Sequence, residues 1–206
     1  TWQMNDTEFA AIQDGFSKIT FGSSSMTGKI TVDTLDLSGL TSDTEIYGGI
    51  IDLSGVTMGG GSFLAHAQSN QDLTVSADIT RSVAGTATLD LRADKNIDTS
   101  SGSDITASNG VLNIILNADR DANQNGAIKV SNGDITTNGG YFVAGGGSGT
   151  VGGTNGILGD GDGTGADDVA AYGGTGVGVT LLDSLITADA GDVFIKGVGA
   201  NNASGL

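Results

Sequence analysis

One phrase of this sequence occurs three times. Asp104-Ile105-Thr106-Ala107-Ser108-Asn109-Gly110 returns as Asp134-Ile135-Thr136-Thr137-Asn138-Gly139-Gly140, and again as Leu185-Ile186-Thr187-Ala188-Asp189-Ala190-Gly191. Each copy is a short β-prone pair, then a polar turn ending in Gly, then a new apolar strand: Val111-Leu112-Asn113-Ile114, Tyr141-Phe142-Val143 and Val193-Phe194-Ile195. The first two copies lie about 30 residues apart, a spacing that marks stacked repeats, each burying its apolar face only against its neighbours. Strands and turns without helix in the unit predict an all-β solenoid. Ile105, Ile135 and Ile186 should then stack in one interior column.

The rest of the chain follows the same rhythm. Lys29–Val32, Thr34–Leu37, Glu45–Tyr47, Ile50–Leu53, Ser62–Ala65, Asp72–Val75, Ala87–Leu91 and Ala127–Val130 read as short strands broken by Gly, Ser, Asn or Asp. Leu35-Asp36-Leu37-Ser38-Gly39 and Ile51-Asp52-Leu53-Ser54-Gly55 look like a shorter local repeat. With 22 Asp against 2 Glu and 36 Gly, the composition favours turns over helices. The one expected helix is short, Asp6 to Asp14, with Asn5 and Glu8 as a capping box and Gly15 as its stop. Phe16–Phe21 alternates with period two and reads as a strand.

A single domain over residues 1–206 is expected, interrupted by a Gly/Asp-rich excursion at about 145–178 where the rhythm fails. The chain starts at Thr1 and its last residues show no capping element, so it is expected to be a segment of something longer. The net charge of −16 disfavours nucleic acid and anionic membrane surfaces. There is no apolar run long enough for a transmembrane helix.

Two acidic segments are candidate cation sites. Asp119, Asp121, Asn123 and Asn125 alternate as oxygen donors do in a loop curled around a hard cation, and calcium is the ion that pattern implies. Gln124 and the missing closing Glu depart from an EF-hand loop, and a solvated turn uses the same residue types. Asp160, Asp162, Thr164, Asp167 and Asp168, interspersed with Gly161, Gly163 and Gly165, form the second candidate, against the alternative of a flexible acidic loop hydrated by water. No catalytic set is expected. The sole histidine, His66, reads as a rung side chain, there is no Cys, and the eight Lys and Arg are spread along the sequence without a cluster. Tyr47, Tyr141 and Tyr172 are either packing residues or a sugar-stacking platform.

Trp2, Glu8, Ile12, Gly15-Phe16, Ile19 and Gly22 resemble the start of a unit in giant bacterial exoproteins of the filamentous-haemagglutinin type. The run from Leu116 through Ile128 to Gly133-Asp134-Ile135 resembles their coils. The resemblance implies a right-handed single-stranded parallel β-helix, secretion to the cell surface, and a structural or adhesive role as stalk, filament or adhesin. The family's secretion-recognition domain is lacking here. About seven coils would make a rod roughly 35 Å long at ~4.8 Å per coil. Expected partners are other copies of the chain, end to end, or other surface proteins and glycans. A calcium-stabilised self-assembling polymer subunit and a β-helix carbohydrate-active enzyme are the competing readings.

Overall fold

The computed structural model describes residues 2–4, 9, 11–99, 102–121, 125–147 and 178–197. They form an all-β fold of parallel strands. In chain order these are β1 (Trp2–Met4), β2 (Lys18–Gly22), β3 (Ile30–Asp36), β4 (Asp43–Gly48), β5 (Ile51–Met58), β6 (Phe63–Ala67), β7 (Leu73–Arg81) and β8 (Thr86–Ala93). They continue as β9 (Ile97–Thr99), β10 (Ile105–Ala107), β11 (Val111–Ala118), β12 (Ile128–Ser131), β13 (Ile135–Thr136), β14 (Phe142–Gly146), β15 (Val179–Leu182), β16 (Ile186–Thr187) and β17 (Val193–Ile195). A ten-stranded sheet and a seven-stranded sheet share them, and the chain passes back and forth between the two.

Register places like on like. Ile105 pairs with Ile135, and Ile135 with Ile186, as the repeat predicts. The same column runs back through Ile79, Val56 and Leu35. A parallel column holds Ile30, Ile51, Leu73, Ile97, Ile128 and Val179. On the seven-stranded sheet Phe63, Leu89, Ile114 and Phe142 stack likewise. These side chains form one continuous core, all fully buried except at its ends. Each contributes about 1.5–3 kcal/mol through the apolar surface it removes from water.

The Asp residues that open the repeat have a mechanical task. The Asp104 N–H donates to Asp78 Oδ1 (2.9 Å), the Asp134 N–H to Asp104 Oδ1 (2.8 Å), and the Leu185 N–H to Asp134 Oδ1 (3.0 Å). A second ladder passes from Asp72 Oδ1 to the Asn96 N–H (3.2 Å) and from Asn96 Oδ1 to the Ala127 N–H (3.0 Å). At these corners no strand partner meets the backbone donor, so a side chain from the preceding rung satisfies it. Rungs also approach very closely there. A Cβ on Gly133 would lie 2.1 Å from the Ser103 carbonyl oxygen, and one on Gly140 would lie 2.1 Å from that of Leu112.

Two expectations change. Strands expected to end after three to five residues run on to nine in β7, because the ten-stranded sheet bends without breaking. Thr34 (φ 40°) and Gly55 (φ 105°) sit in the left-handed region within β3 and β5. The 16-residue local repeat is not structural: Leu35 pairs with Val56, whereas Ile51 pairs with Ile30. Strands β1, β9 and β15 carried no clear sequence signal. Of the span expected as a helix, residues 6–8 and 10 lie outside those described; the rest holds one turn, with the Ile12 N–H donating to the Phe9 carbonyl (2.8 Å).

Asp14 anchors the amino-terminal end of the stack. It accepts from the Thr41 hydroxyl (2.8 Å), the Thr41 N–H (3.1 Å) and the Ser42 hydroxyl (3.1 Å). These donors, the Thr41 hydroxyl foremost, lower its pKa from 3.8 to about 2. Asp36 is also lowered, by the Ser38 hydroxyl and N–H. A carboxylate whose pKa is lower folded than unfolded stabilises the native state above the unfolded value, and that contribution fades as pH falls through the folded one. Melting temperature should therefore hold down to about pH 3.8 and drop toward pH 2, with a smaller drop in Asp14→Asn. A wild-type protein and variant with identical acid profiles would refute the anchoring role.

Candidate functional site

Strand alternation sends every second residue of the seven-stranded sheet outward, and register stacks these residues into two outer columns. One runs Thr20, Glu45, Leu64, Asp90, Ile115, Val143, Phe194. The other runs Gly22, Tyr47, His66, Arg92, Asn117, Gly145. Residues far apart in sequence thereby become neighbours on one face.

The charges on this face are paired. Lys18 Nζ contacts Glu45 Oε1 (2.7 Å), and the Tyr47 hydroxyl donates to Glu45 Oε2 (3.4 Å). Arg92 grips Asp90 with both Nε (2.9 Å) and Nη2 (2.5 Å). His66 Nε2 lies 3.0 Å from Asp94 Oδ1. The rings of Tyr47 and His66 stand 6.2 Å apart at 59°. Burial raises the Tyr47 phenol, and the Glu45 carboxylate adds to it. Burial alone would raise Asp94, but the His66 contact and the backbone N–H groups of Asn70 and Ser69 outweigh it and lower its pKa. Arg120 lies close enough to Arg92 that its guanidinium is lowered, by burial first and by that like charge second.

Two depressions mark the face. One, of about 160 Å³, lies between Glu45, Ser62, Leu64, Thr88 and Asp90. The other, of about 420 Å³, is lined by Ser24, Tyr47, His66, Gln68, Ser69 and Asp94. Its rim residue Ser69 (φ 60°) and the adjoining Asn70 (φ 55°) are two successive left-handed residues. Gln68 is only 6% exposed, yet its side-chain amide meets no hydrogen-bond partner among the described residues.

The acidic segments read from the sequence are placed in part. Asp119 is fully buried with φ 49°, and its Oδ1 accepts the Asn125 N–H (3.1 Å). Asp121 and Asn125 are exposed, and Asn123 lies outside the described residues, as do Asp160, Asp162, Thr164, Asp167 and Asp168. Among the described residues no three His, Cys, Asp or Glu side chains converge as a metal site. His66 is an outer rung residue, as the sequence suggested. Tyr47 and Tyr141 share the outer face on different rungs, and Tyr172 falls outside the described residues.

Sequence reasoning missed the meeting of Tyr47, His66, Arg92, Asp94 and Arg120. Only the unequal rung lengths, invisible before the register is known, bring them together. No protein-family model, curated protein or solved structure matches this chain.

Proposed function

We propose that the chain is a right-handed parallel β-helix rod, a structural and adhesive segment of a secreted bacterial cell-surface protein. The observation that carries this reading is the in-register stacking of apolar columns through both parallel sheets, which turns Thr20, Glu45, Tyr47, Leu64 and His66 outward on successive rungs where they stay at least partly exposed. Stacked repeats extend in one dimension and present such faces as binding surfaces. The outward mixture of Tyr, His, Arg and carboxylates suits contact with proteins or glycans and needs no catalytic step. Extracellular placement rests on the resemblance to filamentous-haemagglutinin-type exoproteins.

One observation favours self-association of the same rod into a surface polymer. Leu181, Leu182, Leu185, Val193 and Ile195 are 38–62% exposed on the final described rung, where a further rung would cover them. The test has two arms. Small-angle scattering and sizing of the purified chain should show an elongated particle that grows with concentration and salt. Protease applied to intact cells that make the protein should remove this segment while sparing cytoplasmic markers. A spherical scattering profile defeats the rod, and full protection from protease defeats the surface location.

A further inference from the structure

We propose that the depression bounded by Tyr47, His66, Gln68 and Asp94 is a subsite for one pyranose ring of an uncharged glycan. The inference rests on the outer face being a displayed surface and adds the class of ligand. Gln68 is the leading evidence. It is more than nine-tenths buried, lines the depression, and has no hydrogen-bond partner for its amide among the described residues. Its amide atoms are not sealed in the core and open on the depression, where a ligand can reach them. Its carbonyl can accept from one hydroxyl while its NH₂ donates to the next, which is the pattern of a sugar diol.

The surroundings fit the same ligand. With Nε2 of His66 turned to Asp94, its Nδ1 remains to meet a hydroxyl. Ser24 and Ser69 add hydroxyls on the rim. The Tyr47 ring, tilted 59° to that of His66, offers a flat apolar wall for the C–H face of a pyranose. The depression, at about 420 Å³, falls within the ~300–1,000 Å³ range of small-ligand pockets. Charge selects the class. Asp94 lines the site, Glu45 bonds the Tyr47 hydroxyl beside it, the neighbouring Arg92 is already engaged by Asp90, and the chain carries a net charge of −16, so an anionic sugar is disfavoured relative to a neutral one.

The test uses His66, whose imidazole resonances are unique because it is the only histidine. The full chain is titrated separately with glucose, galactose, mannose, N-acetylglucosamine and glucuronate. At least one neutral sugar should shift the His66 signals saturably, with Kd on the order of 1 mM, as a single small ring permits. Gln68→Ala and Tyr47→Ala should each weaken it at least about tenfold, at unchanged melting temperature. If Gln68→Ala unfolds, Gln68→Leu keeps the packing and should lose the same binding. No saturable shift from any neutral sugar, or one indifferent to Gln68 substitution, overturns the subsite; glucuronate binding as tightly as glucose overturns its neutral specificity. Scattering on the same sample separates the two proposals: an intact rod that binds no sugar sinks only this one.

Discussion

Truncating Phe142 to alanine should lower the unfolding free energy by about 3–5 kcal/mol, while Val193→Ala, one rung further on, should cost no more than about 0.5 kcal/mol. The two residues are register partners in the same column. Phe142 is fully buried between Ile114 and Val193, so removing its ring leaves a cavity that neighbouring rungs, fixed by their own hydrogen bonds, cannot collapse to fill. Val193 is 46% exposed and leaves little behind. Denaturant titrations of both variants measure the difference. Equal costs would mean that the final rung is covered in solution, by another copy or by more chain, and that the exposure of Val193 is not its working state.

Replacing Arg81 with methionine should cost about 3 kcal/mol. Arg81 points inward between Met58 and Ala107 and is 1% exposed. Its guanidinium donates to the carbonyl oxygens of Gly85 (3.3 Å), Asn109 (3.3 Å), Val111 (3.4 Å) and Ala84 (3.4 Å). Burial pushes its pKa down, a sign that the charge is held at some cost. Methionine fills the space and removes that cost, and replacing a buried ion pair by apolar residues is often neutral for this reason. Here the acceptors are backbone and stay behind. The Gly85 carbonyl keeps the Val111 N–H (2.8 Å), but each carbonyl left without a donor costs about 1–3 kcal/mol before relaxation, and that side of the balance wins. Arg81→Lys keeps the charge but reaches fewer carbonyls and should fall between. A methionine variant as stable as wild type would show that water replaces the guanidinium at no loss.

Much of the fold was legible because a stacked repeat writes its register into the sequence. Ile105, Ile135 and Ile186 could be aligned by eye, and they stack. The turn phrases Ser-Asn-Gly and Thr-Asn-Gly-Gly announced corners where Asn138 (φ 52°) and Gly139 (φ 92°) adopt the left-handed conformation. Asp104 and Asp134 stood out by position, though their task of bonding the next rung's backbone did not. The Leu35 and Ile51 phrases misled because similar strand texture recurs on different columns.

The sequence by itself determined the class of the fold: parallel stacked strands with branched aliphatic columns inside and aspartate corners outside. Apolar alternation and turn chemistry are local, and each rung repeats them. Only the tertiary structure decided where function can reside. Arg81 lies at a core parity that its charge argues against, and carbonyls from two turns are what make the position tenable. Tyr47, His66, Gln68 and Asp94 meet across three rungs of unequal length, so no fixed spacing in the chain announces them. Their juxtaposition follows from rung register, a property of the whole stack.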